Sequence, residues 1–318
     1  MALDFNALND TATTLNPGIP NVPDFTVQTC DVSLKFCMIG GSNQHLTFTA
    51  FDDLRQIKQI VNNFQLNTFH STKQKSFSTY RNMLLVGDST ATVMSIGLQM
   101  NQLNFGYVIN DGSIVGCGLV TNSPTRYTGS TSVTTSNCFS WQQDYQQSVL
   151  KSHPYISVLL IGPWDVISRM VNGSYQHIGD PQYNQLFISN LKQAISILSQ
   201  NGSKVVILNS PYFYHGLMSD LAGWPQDNPM RVDALNSLEN QVASQYSNVR
   251  TINYGGHISS TNEYLRVVNG VDVRTPDGIH FTDLGAIYES EWILSQINKL
   301  NWKSSYDNSQ TSKPKRIK

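Results

Sequence analysis

The stretch "NMLLVGDSTATVMSIGLQM", from Asn82 to Met100, decides the fold. It begins with an apolar run of strand length that stops at Gly-Asp-Ser, with the serine at position 89. Helical spacing of apolar residues follows at once, from Thr92 to Leu103. A strand that is apolar throughout is typical of a parallel sheet that helices cover on both faces. The stretch therefore predicts the first strand and the first helix of an α/β domain.

The same alternation of strands and helices continues to about residue 302. Further strand candidates are "GSIVGCG", "YISVLLIG", "KVVILNS" and "NVRTINY". Three helices are predicted from apolar residues that recur at helical spacing. These residues are Leu186, Phe187, Leu191, Ala194, Ile195 and Leu198, with Gly202 as the C-terminal cap; Leu235, Leu238, Val242 and Tyr246, with Pro229 in the first turn; and Leu284, Ile287, Leu294 and Ile297, after a start near Thr282. Residues 81–302 are therefore predicted to form one α/β sandwich, with its active site at the carboxyl ends of the strands.

The two flanks of this sandwich lack the alternation. Residues 1–80 contain one β-like run, "HLTFTAF", and one helix-like run, "DDLRQIKQIVNNF". They are interpreted as a small irregular N-terminal extension that packs on the sandwich or links it to something else. Residues 303–318 are polar and basic at their end, so they are predicted to be a disordered tail.

Composition and charge restrict the classes of function. The formal net charge is −1, so electrostatics gives no support for nucleic acid or an anionic membrane as a partner. Charged residues make up only 14% of the chain, which favours a secreted or cell-surface protein. No apolar run approaches the ~20 residues of a membrane span, and "MALDFNALND" does not have the pattern of a signal peptide. For an extracytoplasmic protein, we therefore expect that a targeting segment has been removed or belongs to a larger parent.

The four cysteines form two local pairs, Cys30 with Cys37 and Cys117 with Cys138. This spacing favours two short-loop disulfides in an oxidising compartment, and four buried free thiols are the alternative. Neither pair has zinc-knuckle spacing. The histidines outside the candidate site also show no ligand spacing; they are His45, His70, His153, His177, His215 and His257. We therefore expect neither a metal nor a cofactor.

Two motifs carry the chemistry. Ser89 follows the first strand, so its hydroxyl is expected at the active edge of the sheet and its N–H at a helix N-terminus, although a serine there could merely cap the helix. In "TPDGIHFTDLGA", Asp277 and His280 are three residues apart. This spacing lets the carboxylate reach one ring nitrogen and leaves the other free to take a serine proton. The fold would have to bring His280 to Ser89.

With these motifs, the chain resembles the SGNH, or GDSL-type, serine hydrolases. The resemblance implies a three-layer α/β/α sandwich with a parallel sheet, and it implies that Ser89 is the nucleophile, His280 the base and Asp277 the acid of a catalytic triad. In that family a glycine after the second strand gives its N–H to the oxyanion hole. "GSIVGCG" matches this block, with Gly116 in that position.

The third block of the family departs from its usual pattern. The block is normally Gly-x-Asn-Asp, and its asparagine donates to the oxyanion. In "IGPWDVISR", Gly162 and Asp165 match, but Trp164 stands in the place of the asparagine. Two interpretations remain open. The indole N–H of Trp164 replaces the amide as a donor, or Trp164 is an apolar wall and the hole has only two backbone donors.

A narrower resemblance follows from "GDS", "GCG", "CFSW", "GPWDVISR" and "PDGIHFT" taken together. These segments are similar to the extracytoplasmic SGNH domains of membrane O-acyltransferases that modify cell-surface glycans. In those proteins a linker with cysteines precedes the GDS strand, as Cys30 and Cys37 do here. The resemblance implies an acyl-ester substrate, a cell-surface glycan as partner and a link to a membrane acyltransferase domain. The expected function is a serine esterase, and the alternatives are a glycan O-acyltransferase domain or a non-catalytic glycan- or partner-binding module.

Further side chains receive less specific interpretations. Asp88 is interpreted as structural, bonding the backbone amides of neighbouring loops. Asp165 and Arg169 have the i, i+4 spacing of a helical ion pair. Five aromatic residues could either stack on sugar rings or cover the core; they are Trp141, Tyr212, Phe213, Tyr214 and Trp224.

Overall fold

The computed structural model of the protein describes residues 26–31, 36–41, 44–49, 80–121, 123–127, 130–132, 138–215 and 224–302. In the N-terminal extension, β1 (Thr26–Asp31), β2 (Phe36–Gly41) and β3 (Gln44–Thr49) form an antiparallel sheet in the order β1-β2-β3. The described part of the extension thus has three strands, and β3 overlaps the β-like run predicted there. The predicted helix-like run and the predicted tail lie outside the described residues.

The elements of the larger unit alternate along the chain as the sequence predicts. In chain order they are β4 (Arg81–Gly87), α1 (Ser89–Phe105), β5 (Tyr107–Asp111), β6 (Thr125–Tyr127), β7 (Ser130–Ser132), α2 (Trp141–Ser152), β8 (Ile156–Leu160), β9 (Ser168–Val171), β10 (Ser174–Gln176), α3 (Pro181–Leu198), β11 (Lys204–Leu208), α4 (Pro229–Ala243), β12 (Val249–Ile252), α5 (Tyr254–Ile258), β13 (Val267–Val268), β14 (Val271–Asp272) and α6 (Asp283–Lys299).

A five-stranded sheet in the order β12-β11-β8-β4-β5 forms the centre of this unit. All four pairs of neighbouring strands are parallel. Their carboxyl ends therefore meet at one edge of the sheet, which is where ligands bind in open α/β sheets. A smaller antiparallel sheet has the order β10-β9-β6-β7, and β13 and β14 form a short antiparallel pair.

Helices cover both faces of the central sheet. In β4, Leu84 and Val86 pack with α2, α3 and α4 on one face. Met83 and Leu85 pack with α1, α5 and α6 on the other face. Because both faces are covered, the strand is apolar at successive positions, as the opening stretch indicates. The predicted α/β/α sandwich with a parallel sheet is confirmed.

Three details of the predicted elements are wrong. The second strand is Tyr107–Asp111, and "GSIVGCG" is the loop that follows it, where Gly116 adopts a φ of +80° that a strand does not use. On α3, Leu186 is 38% exposed, so the buried face is narrower than expected. Gly202 belongs to a separate 3₁₀ turn, and Ser199 is the C-cap of α3.

The starts of the other two helices are as predicted, but Tyr246 lies beyond the end of α4 at Ala243. α4 begins at Pro229, as expected, with Asn228 as its N-cap. α6 begins directly after Thr282, whose hydroxyl accepts a hydrogen bond from the Gly285 N–H at 2.8 Å. No helix in the described part of the chain is both long enough and apolar enough to cross a bilayer.

Candidate active site

The end of β4 positions Ser89. Gly87 has a φ of +149°, and a Cβ there would lie 1.8 Å from the carbonyl oxygen of Leu160, so only glycine fits beside the neighbouring strand β8. Asp88 follows as the N-cap of α1, and Ser89 is the first residue of the helix. The capping alternative for Ser89 is therefore wrong, because Asp88 supplies the cap. The partly exposed Ser89 side chain is left free for another role.

The loop before α6 brings His280 to Ser89 across 191 residues of sequence. Nε2 of His280 lies 2.7 Å from Oγ of Ser89. Nδ1 of the same ring lies 2.6 Å from Oδ2 of Asp277. With Asp277 ionised, Nδ1–H donates to the carboxylate and Nε2 accepts from the serine hydroxyl. The three predicted residues thus form one continuous hydrogen-bonded chain at the carboxyl edge of the sheet.

The second oxygen of Asp277 is held by three further donors. Oδ1 accepts hydrogen bonds from Oγ1 of Thr275 at 2.5 Å, from the Ile279 N–H at 2.8 Å and from the His280 N–H at 3.0 Å. Burial alone would raise the pKa of Asp277, but the bonds from His280, Thr275 and the two amides outweigh burial and hold the pKa well below its usual range. Asp277 therefore stays ionised beside the imidazole well into the acid range.

Close packing of α1 against α6 fixes the distance between Ser89, at the start of α1, and His280, just before α6. A Cβ at Gly97 would lie 2.0 Å from the carbonyl oxygen of Ala286. One turn further on, Nδ2 of Asn101 donates to the Ile287 carbonyl at 3.2 Å and to Oγ of Ser290 at 2.8 Å. The two helices run parallel from this edge of the sheet, because positions 97 and 101 meet positions 286 and 290. One begins at Ser89 and the other three residues after His280.

Gly116 and Trp164 lie next to each other in the loops after β5 and β8. A Cβ at Gly116 would be 4.0 Å from Cζ2 of the Trp164 ring, on the side of the indole that carries the N–H. The Ile114 N–H donates to the Gly87 carbonyl at 2.8 Å, which ties the Gly116 loop to the end of β4. The loops that carry the three predicted oxyanion donors therefore meet at the same edge of the sheet.

A disulfide holds the Gly116 loop from its other side. Cys117 and Cys138 are bonded, which confirms one of the two predicted pairs. Cys30 and Cys37 face each other in the register of β1 and β2. Their disulfide stays a prediction.

Asp165 has a structural role that differs from the one predicted. Its two carboxylate oxygens accept hydrogen bonds from the N–H groups of Leu119 and Val120, both at 3.0 Å. Arg169 lies on β9 and donates to the Trp164 carbonyl at 3.2 Å. The predicted helix is wrong, because this segment is a turn followed by a strand, but the charge of Arg169 still acts on the Asp165 carboxyl. Burial raises the pKa of Asp165, while the two amides and Arg169 oppose that rise.

Asp88 is fully buried directly beside the nucleophile candidate. Its Oδ1 accepts hydrogen bonds from the N–H and the hydroxyl of Thr90, at 2.8 and 2.7 Å. The amide that Asp88 bonds belongs to α1, the helix that Asp88 caps, whereas the sequence predicts amides of neighbouring loops as its partners. Burial raises the pKa of Asp88 to about 6, although the Thr90 bonds lower it.

The aromatic candidates fall into two groups. Trp141, Tyr212 and Phe213 are buried, so the core interpretation holds for them. Tyr214 is 45% exposed, and Trp224 stacks on the ring of His215 at 4.3 Å. In the described part of the chain, no three side chains of His, Cys, Asp or Glu are grouped so that they could hold a metal ion.

Sequence reasoning missed Thr275 and the two amides that orient Asp277. A threonine two residues before an aspartate is a signal for such a turn, since a short hydroxyl and a carboxylate at this spacing bond readily. The bond between Asp165 and the Gly116 loop had no signal in the sequence, since it joins residues 45 and 46 positions apart.

A three-layer sandwich with a serine where its first central strand meets α1, and an Asp-x-x-His turn before its last helix, defines the SGNH, or GDSL-type, class of hydrolase folds. The chain belongs to the family described as "Protein of unknown function (DUF459)", whose model matches residues 82–296. Comparison with curated proteins gives no match.

Three solved structures are among those similar to this chain. A lipase/acylhydrolase from Enterococcus faecalis is 16% identical, with 71% of this chain and 100% of that chain covered and a TM-score of 0.47. A GDSL-like lipase from Bacteroides thetaiotaomicron is 16% identical, with coverages of 76% and 97% and a TM-score of 0.46. The periplasmic domain of a lipopolysaccharide acetyltransferase from Salmonella ser. Paratyphi A is 16% identical, with coverages of 78% and 98% and a TM-score of 0.48.

Proposed function

We propose that this protein is a serine hydrolase of acyl esters, acting through a covalent acyl-serine intermediate on small or carbohydrate-linked substrates. The observation that carries the proposal is the chain of two hydrogen bonds from Ser89 through His280 to Asp277, of 2.7 and 2.6 Å. A nucleophile bonded to a base, which a third group orients, is the arrangement that activates a serine hydroxyl.

In the proposed first half-reaction, Oγ of Ser89 attacks the ester carbonyl while its proton passes to Nε2 of His280. The ionised Asp277 stabilises the resulting imidazolium. The tetrahedral intermediate then collapses, and the leaving alcohol departs with the proton from His280. In the second half-reaction water gives a proton to His280 and attacks the acyl-serine, which releases the acid and returns the proton to Ser89.

The oxyanion hole in this proposal consists of the N–H groups of Ser89 and Gly116 and the indole N–H of Trp164. The N–H of Ser89 belongs to the first turn of α1, where helix amides have no partner within the helix. The contact between the Trp164 ring and Gly116 supports including the indole N–H in the hole, and Trp164 as an apolar wall is the alternative. Each such donor typically contributes ~3 kcal/mol to lowering the barrier.

A second candidate is a glycan O-acyltransferase, in which a sugar hydroxyl replaces water in the second half-reaction. A polar cavity lined by Asn209, Asn236 and Asn240 is at the same edge of the sheet. Such a wall favours a ligand with many hydroxyl groups and so supports this alternative. An extracytoplasmic location and a link to a membrane acyltransferase domain are part of the same proposal. The disulfide between Cys117 and Cys138 supports the location, since disulfides persist in oxidising compartments.

Hydrolysis of p-nitrophenyl acetate by the wild type and by Ser89→Ala tests the proposal. We expect kcat/KM to fall at least ~1,000-fold in Ser89→Ala, because Ser89 carries the hydroxyl that is bonded to Nε2 of His280. Ser244→Ala, an exposed serine at the end of α4, is the matched control and should retain full turnover. A fluorophosphonate probe should label the peptide that contains Ser89. Equal rates for wild type and Ser89→Ala would reject the enzyme and favour the non-catalytic binding module.

A further inference from the structure

A cavity of about 530 Å³ lies between α4 and the residues that follow β11 and β12. Asn209 follows β11 and Asn253 follows β12, so the cavity is at the carboxyl edge of the sheet, the edge that also carries Ser89. Its volume is in the range of ~300–1,000 Å³ that is typical of small-molecule sites. Half of the ten residues that line it are asparagines: Asn209, Asn236, Asn240, Asn253 and Asn262.

One face of α4 is turned toward this cavity. Asp233, Asn236, Ser237 and Asn240 line it, at positions i, i+3, i+4 and i+7 of the helix. The opposite, apolar face of α4 packs in the core through Val232, Leu235 and Val242. When a helix packs in the core with one face, any type of polar residue is suitable on its solvent face. Here that face instead closes a cavity with short polar side chains.

Part of the cavity wall is fixed by hydrogen bonds. Asn236 pairs with both backbone groups of Ser210, at 2.8 and 2.9 Å. Nδ2 of Asn209 donates to Oε2 of the buried Glu239 at 2.8 Å, and the hydroxyl of Tyr212 donates to Asp233 at 2.5 Å. These bonds hold the wall in place without a ligand.

The remaining polar groups of the wall are uncommitted. The side chains of Ser237, Asn240, Thr251 and Asn262 make no hydrogen bond to any residue that the structure describes. Two hydroxyls and two amides provide donors and acceptors together, so they can bond a ligand group that both donates and accepts. A fixed wall with free hydrogen-bonding groups is the arrangement that orients a polar ligand.

Charge and polarity select the class of that ligand. Among the ten residues that line the cavity there is one carboxylate, Asp233, and no cationic side chain, so an anion such as a phosphate has no partner. The lining also has no aliphatic side chain, so an acyl chain would bury no apolar surface there. The wall is therefore suited to a ligand that carries neutral hydroxyl groups. We propose that the cavity is a binding site for a neutral saccharide.

The cavity is at the same edge of the sheet as the candidate triad. The strand that leads to Asn209, β11, is two positions from β4 in the sheet, roughly 10 Å at the usual strand spacing. Tyr212 belongs to the cavity wall, and its carbonyl accepts a hydrogen bond from Arg274 at 3.3 Å. Arg274 also donates to the Ile279 carbonyl at 2.7 Å, one residue before His280. The wall of the cavity and the loop that carries His280 are therefore joined through one buried guanidinium.

Binding is tested with Ser89→Ala protein, so that the result does not depend on whether the protein is an enzyme. Glucose, galactose and N-acetylglucosamine are the probes, and glucuronate and inorganic phosphate are the charged controls. Affinity is measured by calorimetry, and the side-chain amide signals of asparagine are followed by NMR. We expect at least one neutral sugar to bind and to shift the amide signals of Asn240 and Asn262. We expect the charged controls to bind at least ~10-fold more weakly.

Two substitutions remove the proposed contacts without changing shape. Thr251→Val and Asn240→Leu together should weaken sugar binding at least ~10-fold, since two hydrogen bonds are lost. Gln241→Met, the adjacent exposed amide on α4 that does not line the cavity, is the matched control and should bind as the parent does. If the double variant has a lower Tm than the parent, Ser237→Ala gives the same test at an exposed position. Binding that is unchanged in these variants, or no binding of any neutral probe, would overturn the proposal.

Discussion

The composition of the proposed oxyanion hole depends on Trp164, whose indole N–H is its third donor. Trp164→Phe removes the N–H and retains an aromatic ring, so the contact with Gly116 can persist. We expect kcat for p-nitrophenyl acetate to fall about 100-fold with little change in KM, because the donor acts mainly on the transition state. The measurement is a steady-state comparison with the wild type, supported by thermal unfolding to show that the fold is intact. Full turnover in a folded Trp164→Phe protein would instead make Trp164 a wall.

The buried carboxyl of Glu239 gives a prediction about stability. Burial raises the pKa of Glu239 from 4.5 to about 8, although its bond with Asn209 opposes the rise. The folded protein therefore holds a proton that the unfolded chain has released between these two pH values, so this group makes the free energy of unfolding fall as pH rises through that window. Glu239→Gln should remove the fall, because the amide keeps the shape and cannot ionise.

The difference between Glu239→Gln and the wild type is measured by urea unfolding at pH 5, 7 and 9. We expect the two proteins to be nearly equal at pH 5, and the variant to be more stable at pH 9 by a few kcal/mol, since one unit of pKa corresponds to ~1.4 kcal/mol. Asp233→Asn, an exposed carboxyl on the same helix, is the control and should not reproduce the trend. A constant difference at all three pH values would contradict the assignment.

Among single residues, sequence reasoning identified those whose role depends on chemical type and local spacing. Asp277 and His280 are predictable because three residues separate them in one turn. The helix predicted at Asp165 and Arg169 is wrong because the prediction relied on local spacing, whereas the amides that Asp165 bonds are distant in sequence. The i, i+4 spacing predicts a helix there, but the segment is a turn followed by a strand, and the Asp165 carboxylate bonds amides about 45 residues away.

At the scale of elements, the contact between α1 and α6 sets the geometry of the site. Gly97→Ala adds a Cβ that would lie 2.0 Å from the Ala286 carbonyl oxygen, so the helices must separate. We expect the variant to lose about 1–3 kcal/mol of stability. We also expect kcat to fall on the order of 100-fold, since a shift of about 1 Å between catalytic groups can have that effect.

The test of Gly97→Ala combines urea unfolding with esterase kinetics below the unfolding transition. Asn104→Ala, an exposed position on the same helix, is the control and should change neither quantity. A Gly97→Ala protein with the stability and the kcat of the wild type would show that the helix contact does not control the distance from Ser89 to His280.

The elements themselves are predictable where one pattern dominates. The strands at 156–160 and 204–208 and the end of the strand at 81–87 are nearly continuous apolar runs because both of their faces are covered, whereas the edge strand at 249–252 has polar residues in its middle. "GSIVGCG" has the composition of such a run, but its glycines allow a loop with positive φ at Gly116. The actual strand, "YVIND", ends in polar residues and is at the sheet edge, so its pattern is weaker.

For the whole molecule, the alternation of elements predicts a parallel sheet, which the structure has, and the candidate residues Ser89, Asp277 and His280 meet at the carboxyl edge of that sheet. The order of the strands, β12-β11-β8-β4-β5, could not be read from the sequence. It depends on contacts between distant residues that leave no local pattern. The cavity beside α4 was missed for the same reason, because its asparagines come from three separate segments of the chain.

The parallel contact between the first and the last helix of the sandwich has a consequence for biosynthesis. Chains emerge from the ribosome from their N-terminus, and Asp277 and His280 are among the last residues of the sandwich to be made. Until α6 has emerged and docked on α1, a nascent chain carries the hydroxyl of Ser89 but no base to activate it. In the proposed hydrolase, the base would therefore reach Ser89 only once the sandwich is complete.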